Sequence, residues 1–231
     1  MDFANSPQIA ARALEFVREG DVIGLGSGHA ATAFVHALAG PVRAGFRVRA
    51  VPTSEATAAL ARRLGIPLIT LEDTLPIDLA VDGADEVDPD LNLIKGWGGA
   101  LVREKIVAAA ARRLIILIGP EKTSEKLVEA LGSRGRLPIE VVPFGLALCR
   151  ERLAALGCPP TPRTENGALF VTDNGNYILD CKVSALRDPA ALEQAILAVP
   201  GVIDTGLFLG MADTVLIQQD DTVEVRRRRT T

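Results

Sequence analysis

The chain has 231 residues, of which 48% are hydrophobic, and a formal net charge of -4. This length and composition suffice for one large hydrophobic core or two smaller ones, so a globular fold is expected. The negative charge gives no electrostatic reason to bind nucleic acid or an anionic membrane, and an anionic ligand would need a local cationic site.

Neither the N-terminal segment nor the apolar runs predict a leader peptide or a membrane span. The N-terminal segment MDFANSPQ lacks a basic stretch followed by an apolar one, and the apolar run Leu114 to Ile118 is too short to span a bilayer. The sequence contains 3 cysteines and no CxxC pair, which is typical of reduced thiols rather than of a disulfide framework or a zinc site. We therefore expect a cytoplasmic protein.

The first half of the chain alternates predicted strands and helices. Ser6 and Pro7 predict the N-cap and first turn of a helix whose apolar residues recur at helical spacing until Gly20. The alternation that follows favours a parallel sheet covered by helices. Strands are predicted at 22–25, 46–51, 67–69, 77–81 and 114–118, and helices at 30–39, 54–64 and 99–112.

Beyond about residue 132 the predicted elements become shorter and glycine and proline more frequent. The turn Asp173-Asn174-Gly175-Asn176 between two apolar stretches predicts a hairpin. The other predicted elements are a strand in LPIEVVP, helices at 144–156 and 189–197, and strands at 202–207, 214–217 and 222–225. We expect a small α+β module inserted before the last two strands rejoin the first sheet.

The first candidate site is the loop Gly24-Leu25-Gly26-Ser27-Gly28-His29, between a strand and a helix. The N–H groups at the start of that helix would point at a ligand, a geometry that suits a phosphate. His29 replaces the third glycine of a dinucleotide fingerprint, and the lysine of a Walker loop is absent. From the residues alone, phosphate binding and tight packing are equally open.

The second candidate is Asp82-Gly83-Ala84-Asp85, at the end of the strand predicted over 77–81. Open α/β sheets bind their ligands at the carboxyl ends of strands, so both carboxylates can face one pocket. A structural role as turn residues is the alternative.

The third candidate is Lys95-Gly96-Trp97-Gly98-Gly99, followed by a helix that carries Glu104. The glycines would let the backbone approach a ligand closely. Glu104 lies either in the pocket as a base or on the surface as half of an ion pair, and the residues alone favour the surface.

Taken together, these segments closely resemble ribose-5-phosphate isomerases of the A type over nearly the whole chain. The resemblance is carried by GLGSG, TSEATAALARRLGIPL, DGADEVD, KGWGGALVREKI, LPIEVVPFG, VTDNGNYILD and GVIDTGLF. It implies an aldose-ketose isomerase of the non-oxidative pentose phosphate pathway that interconverts ribose 5-phosphate and ribulose 5-phosphate through a cis-enediolate, without metal or organic cofactor.

The resemblance also implies a fold and an assembly. The fold would be a Rossmann-like domain over 1–132 and 207–231 with a smaller α+β, ferredoxin-like domain over 133–206. That smaller domain would serve as an oligomerisation or lid module, and the assembly would be a homodimer or homotetramer.

The resemblance assigns a role to each predicted site residue. It makes Glu104 the proton-transferring base, which replaces the surface position, and it places Lys95 beside the negatively charged intermediate. Asp82 and Asp85 would assist ring opening. The predicted substrate-binding residues are Gly26, Ser27, Gly28, His29, Ala30, Gly83, Ala84, Gly96, Trp97, Gly98 and Lys126.

The chain departs from the family pattern at several positions. His29 and Ala30 replace two hydroxyl residues of GTGST, Trp97 replaces a glycine of KGGG at the expected pocket mouth, and Ser6 aligns with a basic family residue. We expect weaker phosphate binding than is usual. Two alternatives stay open: a sugar-phosphate-binding module without turnover, and an isomerase of a related sugar phosphate.

Overall fold

The computed structural model describes residues 7–120 and 123–229. Ser6, the predicted N-cap, lies outside these residues. The strands in chain order are β1 (Val22–Leu25), β2 (Arg49–Pro52), β3 (Leu79–Gly83), β4 (Glu86–Val87), β5 (Leu93–Ile94), β6 (Leu114–Ile118), β7 (Arg136–Val141), β8 (Pro160–Pro162), β9 (Thr164–Glu165), β10 (Ala168–Leu169), β11 (Tyr177–Lys182), β12 (Val202–Thr205), β13 (Leu207–Phe208), β14 (Thr214–Gln219) and β15 (Thr222–Arg227).

The helices in chain order are α1 (Pro7–Leu14), α2 (Gly28–Arg43), α3 (Glu55–Arg63), α4 (Leu101–Ala110), α5 (Thr123–Lys126), α6 (Leu146–Ala155) and α7 (Pro189–Leu197). A short 3-10 turn, Pro143–Gly145, precedes α6. Within the described ranges no helix is long and apolar enough to cross a membrane.

The chain forms two compact units. The first comprises the described residues of Met1–Ala84, Arg103–Lys126 and Met211–Thr231, and the second comprises Asp85–Val102 and Leu127–Gly210. Residues 85–102, 127–132 and 207–210 thus group with the second unit, whereas they were predicted in the first domain. The predicted domain boundaries stay a prediction.

A mostly parallel sheet forms the centre of the first unit. Its strand order is β15-β14-β6-β3-β1-β2, and only the pair β14 and β15 is antiparallel. The five residues of β6 are all buried, as expected for a central strand covered on both faces. The predicted parallel α/β sheet and the return of the last two strands are both confirmed.

Local sequence explains the helices of the first unit. Ser54 caps α3, because its side-chain oxygen accepts the N–H of Thr57 at 3.0 Å. In α2, the buried residues recur at helical spacing along one face; they are Ala31, Phe34, Val35, Leu38 and Ala39. All of them except Ala31 belong to the core cluster that also contains residues of the sheet. The strand predicted at 67–69 is only a single bridge between Ala50 and Leu68.

An antiparallel sheet with the order β12-β7-β11-β8 organises the second unit. One face of β7 and β11 joins an apolar cluster that also includes residues of α6 and α7; the strand residues in it are Leu137, Ile139, Val141, Leu179 and Cys181. Because side chains alternate along a strand, the opposite face carries Arg136, Glu140 and Asp180. The predicted hairpin turn is confirmed by the bridge between Val171 and Tyr177.

Candidate active site

The loop between β1 and α2 packs directly on Asp82. The N–H of Gly26 donates to the carbonyl of Val81 at 2.9 Å, which holds the loop beside the end of β3. A Cβ atom at position 26 would overlap with the carboxyl group of Asp82, so only glycine permits this approach. Gly26 therefore has the tight-packing role that the sequence left open, whereas its predicted contact with substrate stays a prediction.

Asp82 is a buried carboxylate at the carboxyl end of β3. The residue is 3% exposed. Its Oδ1 accepts hydrogen bonds from the N–H of Ser27 at 3.1 Å and from the N–H of Gly83 at 2.7 Å. The N–H of Ser27, which was expected to face a phosphate, thus binds Asp82. The following N–H groups, those of Gly28, His29 and Ala30, belong to the first turn of α2, which has no intrahelical acceptor for them.

Hydroxyl groups beneath this loop were missed by the sequence analysis. Ser27 Oγ lies 2.8 Å from Thr53 Oγ1 and donates to Ser54 Oγ at 3.1 Å, and Thr57 Oγ1 donates to the carbonyl of Gly26 at 3.1 Å. The sequence could have indicated them, because Thr53 directly follows β2 at the carboxyl edge of the sheet, where ligands bind. The bonds fix the loop from the side of β2.

Glu104 lies on α4, and the position of the last residue of α4 shows in which direction this helix runs along the sheet. The carbonyl of Ala110 accepts the N–H of Ile77 at 2.9 Å, so α4 ends beside the beginning of β3. The beginning of α4, and with it Glu104, therefore lies toward the edge of the sheet that holds Asp82. Glu104 is 5% exposed, which excludes the surface position.

The neighbour of Glu104 makes the ion pair that was considered for Glu104 itself. Arg103 Nη1 lies 2.9 Å from Glu55 Oε1, and both side chains are partly exposed. Val107, one turn after Glu104, packs closely on Gly24 of β1, because a Cβ atom at Gly24 would overlap with it.

Lys95 is buried in the second unit. It is 3% exposed, its N–H donates to the carbonyl of Gly206 at 2.9 Å, and its ammonium lies 5.4 Å from the centre of the Phe208 ring. A cation at this distance from an aromatic face is stabilised by the ring.

Asp85 organises residues 95–99, here called the lysine loop. Its own N–H donates to the carbonyl of Ile94 at 2.8 Å, and its Oδ2 accepts the N–H of Trp97 at 3.0 Å. The loop closes through the N–H of Gly99, which donates to the carbonyl of Gly96 at 3.0 Å. Gly96 has a φ of 98°, a conformation that favours glycine.

The ring of Trp97 contacts two arginines of the second unit. The guanidinium carbons of Arg134 and Arg136 lie 4.5 and 5.3 Å from the ring centre, and Nε1 donates to the carbonyl of Arg136 at 3.4 Å. Arg163 donates to the carbonyls of Gly96 and Trp97. Nothing in the local sequence of Arg163 signalled this contact.

Within each unit the structure brings some predicted residues together. In the first, Gly26, Ser27 and Gly83 meet Asp82; in the second, Asp85 contacts the loop of Lys95, Gly96 and Trp97. The other predicted residues are Gly28 and His29, which are exposed in the first turn of α2, the half-buried Ala30, the buried Ala84, the exposed Gly98, and the half-buried Lys126 at the end of α5. Their assignment to substrate stays a prediction.

The first unit also contains a cavity that lies apart from these residues. A cavity of about 610 Å³ in the first unit is lined mainly by α3, α4 and residues 68–73, and none of the predicted site residues lines it. Among residues 7–120 and 123–229, no group of three His, Cys, Asp or Glu side chains is arranged to hold a metal ion.

The family model and the similar sequences compared with this chain point to the same family. The family model for ribose 5-phosphate isomerase A (phosphoriboisomerase A) matches residues 49–222. A ribose-5-phosphate isomerase A of Roseiflexus sp. (strain RS-1) is 53% identical over 217 residues, which are 93% of this chain and 91% of that protein.

Solved structures agree with the sequence relatives. The ribose 5-phosphate isomerase from Plasmodium falciparum has a TM-score of 0.90 and 38% identity, with 96% of this chain and 97% of that chain covered. A D-ribose-5-phosphate isomerase in complex with phospho-erythronic acid has a TM-score of 0.89 and 38% identity, with 95% and 96% covered.

The α/β fold and these relatives together define an isomerase. The chain belongs to the ribose 5-phosphate isomerase A family. The family resemblance and the α/β fold class expected from the sequence are thereby confirmed.

Proposed function

We propose that the chain interconverts D-ribose 5-phosphate and D-ribulose 5-phosphate, with Glu104 as the base. The observation that carries this proposal is the burial of Glu104, at 5% exposure, on the helix whose beginning lies toward the carboxyl edge of the sheet with Asp82. A relative of the same fold binds phospho-erythronic acid, a compound that combines a phosphate with a planar carboxylate.

The reaction moves one hydrogen between two neighbouring carbons. Glu104 takes the proton from C2 of the open-chain aldose, the released electron pair forms the C1–C2 double bond, and the electrons of the C1 carbonyl move to O1. The protonated Glu104 then returns the proton to C1, while the hydroxyl proton of O2 passes to O1 and C2 becomes the carbonyl. One carboxyl group therefore suffices as acid and base.

The remaining residues stabilise charge and hold the substrate. Lys95 lies beside the enediolate oxygen, where a fixed cation stabilises negative charge as it develops. In ring opening, one carboxyl of the pair Asp82 and Asp85 takes the proton of the anomeric hydroxyl, and the other, in its acid form, gives a proton to the ring oxygen as the bond between that oxygen and C1 breaks. The phosphate binds the N–H groups of Gly28, His29 and Ala30 with the ammonium of Lys126, because a helix N-terminus favours anions.

Glu104→Gln tests the base, since it removes the proton acceptor but changes little volume. We expect kcat to fall by about 10²- to 10⁴-fold while phospho-erythronic acid still binds in calorimetry. The matched control is Glu55→Gln, which removes an exposed carboxylate paired with the neighbouring Arg103 and should leave kcat within about twofold.

The outcomes separate the alternatives. If the wild type forms no ketose from ribose 5-phosphate, the activity itself is contradicted, and a binding module is favoured. If arabinose 5-phosphate reacts faster than ribose 5-phosphate, a related isomerase is favoured. A Glu104→Gln variant with wild-type kcat would contradict only the role of the base.

A homo-oligomer is also proposed for the chain, as a dimer or a tetramer. Its support is a set of large exposed apolar side chains in the second unit, because exposed apolar surface is typical of protein interfaces. They include Phe144 at 100% exposure, Leu148 and Ile203 at 41% each, and Val142 at 36%. Light scattering after gel filtration should give a dimer or tetramer mass that falls in Phe144→Glu; a monomeric wild type would contradict this.

The proposed compartment is the cytoplasm. The three cysteines, Cys149, Cys158 and Cys181, are free and buried, which fits a reducing environment. Cell fractionation with an antibody against the chain tests this, and recovery in the membrane or secreted fraction would contradict it.

A further inference from the structure

Arg163 is bonded to two carbonyl groups of the lysine loop. Its Nη1 donates to the carbonyls of Gly96 and Trp97 at 3.1 Å each. The side chain is only 10% exposed. Because a hydrogen bond from a charged donor is stronger than a neutral one, these two bonds restrain the backbone that directly follows Lys95.

Asp180 holds Arg163 in place. Arg163 donates Nε and Nη2 to the two carboxylate oxygens of Asp180 at 3.0 and 2.6 Å, and Arg136 binds the same carboxylate at 2.9 and 2.8 Å. A bidentate pair fixes both the direction and the plane of a guanidinium. Arg163 therefore reaches the lysine loop with a geometry that the sheet determines.

The lysine loop needs such support because its own sequence is flexible. Three of its five residues are glycines, which lose more conformational freedom on folding than other residues do. Asp85 fixes the N–H of Trp97, and Arg163 fixes the carbonyl of the same peptide unit and the carbonyl of the next one. Together these bonds fix the two peptide units that join Gly96 to Trp97 and Trp97 to Gly98.

We propose that Arg163, held by Asp180, is a positioning residue that places Lys95 for stabilisation of the enediolate. This inference rests on the proposed function, because it takes Lys95 as the cation beside the intermediate. Arg163 acts through the loop and need not touch the substrate.

Arg163→Met removes the donors while keeping much of the length of the side chain. We expect kcat to fall by about 10- to 100-fold with KM for ribose 5-phosphate changed by less than about threefold, because misplacing a group that acts in the transition state lowers kcat. Arg163→Lys keeps a charged donor and should recover a large part of kcat. Arg163→Gln replaces Arg163→Met if the latter does not fold.

Arg136→Met is the matched control. It removes the other arginine from Asp180 and one of the two guanidinium groups over the Trp97 ring. It leaves in place the guanidinium of Arg163, which bonds the carbonyls of Gly96 and Trp97. Both variants should lower the melting temperature, Arg163→Met by more, because only this variant also loses the two bonds to the loop. Only Arg163→Met should lose more than about threefold in kcat if the loop bonds, rather than the ion pair, matter for turnover.

Trp97 reports on the loop directly, because it is the only tryptophan in the chain. Its emission should shift to longer wavelength in Arg163→Met and return toward the wild-type position in Arg163→Lys. Arg136 stacks on the same ring, so emission is compared only among the Arg163 variants.

The outcomes distinguish this inference from the proposed function. A kcat within threefold of wild type in Arg163→Met, an unchanged Trp97 emission, or an equal kcat loss in Arg136→Met would each overturn the positioning role. If the wild type is active and Lys95→Ala is not, the proposed function still stands in all three cases. If Lys95→Ala retains wild-type kcat, the role of Lys95 fails first.

Discussion

The backbone N–H of Ser27 donates to Oδ1 of Asp82 over 3.1 Å, and this bond joins the start of α2 to the end of β3. The N–H of Gly83 donates to the same oxygen at 2.7 Å. A carboxylate that accepts two backbone N–H groups has a fixed orientation. Because Gly26 has no side chain, the loop lies close enough to Asp82 for this arrangement to form.

Gly26→Ala should therefore disturb both the loop and Asp82. The added Cβ would overlap with the carboxyl group, and overpacking of a buried site costs about 1–3 kcal/mol. We expect the free energy of unfolding in urea to fall by that amount and kcat/KM to fall at least about tenfold, because misplaced catalytic groups lose rate steeply.

Gly20→Ala is the control for backbone strain alone. Gly20 has a φ of 91°, and a Cβ atom added there would meet nothing within 4 Å, so alanine costs only the strain of that conformation, about 1–2 kcal/mol. Its kinetics should equal those of the wild type. Wild-type kinetics in Gly26→Ala would contradict the role assigned to Gly26.

Most of the fold could be predicted from the sequence where local signals were strong. The apolar run of β6 and the helix α7, which starts with Asp188 as a cap and Pro189, were found with their observed bounds. The helix predicted over 30–39 extends to Arg43 despite Pro41, and in this last turn Val42 is partly buried and packs against the core. Periodicity cannot report such tertiary stabilisation.

The candidate site was predictable only where its residues share a local motif. The loop at Gly26 and the strand end at Asp82 were recognisable because each lies between a strand and the next element. The local sequence does not show that Arg103, and not Glu104, makes the surface ion pair. The partner of Arg103 is Glu55, which lies 48 positions away in the chain. Arg163 is 67 positions from Gly96 in the chain, and nothing in the sequence predicts that the two residues are in contact.

Restoring the family hydroxyls tests the expected weakness of phosphate binding. His29 is exposed and Ala30 half-buried in the first turn of α2, so serine and threonine there can reach an anion at the helix N-terminus. The double variant His29→Ser with Ala30→Thr should lower KM for ribose 5-phosphate by about 3- to 10-fold, the value of about one neutral hydrogen bond. An unchanged KM would show that the backbone donors suffice.

Asp180 should make stability depend on acid pH. Burial alone would raise the pKa of Asp180, but hydrogen bonds and the charges of Arg163 and Arg136 outweigh it and hold the pKa below its ordinary value. The folded protein thus binds fewer protons at this site, so its stabilisation is fully present above about pH 3.9 and is lost as pH falls through the folded pKa.

Asp180→Asn tests this pH dependence in urea unfolding. At pH 7 it should cost about 3 kcal/mol, because two partly buried guanidinium groups lose their counter-ion. The difference from the wild type should narrow below about pH 4. Glu224→Gln, which breaks an exposed pair with Arg226, is the control and should cost less than about 1 kcal/mol at pH 7. A difference that stays constant from pH 7 to pH 3 would contradict the assignment.

Glu140 connects β7 to the hairpin turn that follows Thr172. It is fully buried, and its Oε1 accepts hydrogen bonds from Thr172 Oγ1, Asn174 Nδ2 and Asn176 Nδ2 at 3.0, 3.2 and 2.9 Å. Its Oε2 has no hydrogen-bond partner among the described residues. One oxygen atom therefore makes all of the observed side-chain bonds to the turn.

The carbonyl oxygen of glutamine can replace that one oxygen, whereas alanine cannot. Glu140→Gln should change the free energy of unfolding by less than about 1 kcal/mol, because the lost charge assistance is offset by a smaller desolvation cost. Glu140→Ala leaves three polar groups of the turn without this acceptor and should cost about 3 kcal/mol. Urea unfolding measures both values, and amide exchange at residues 172–176 should be faster only in Glu140→Ala. Equal losses in the two variants would mean that the negative charge of Glu140, and not its acceptor oxygen, holds the turn.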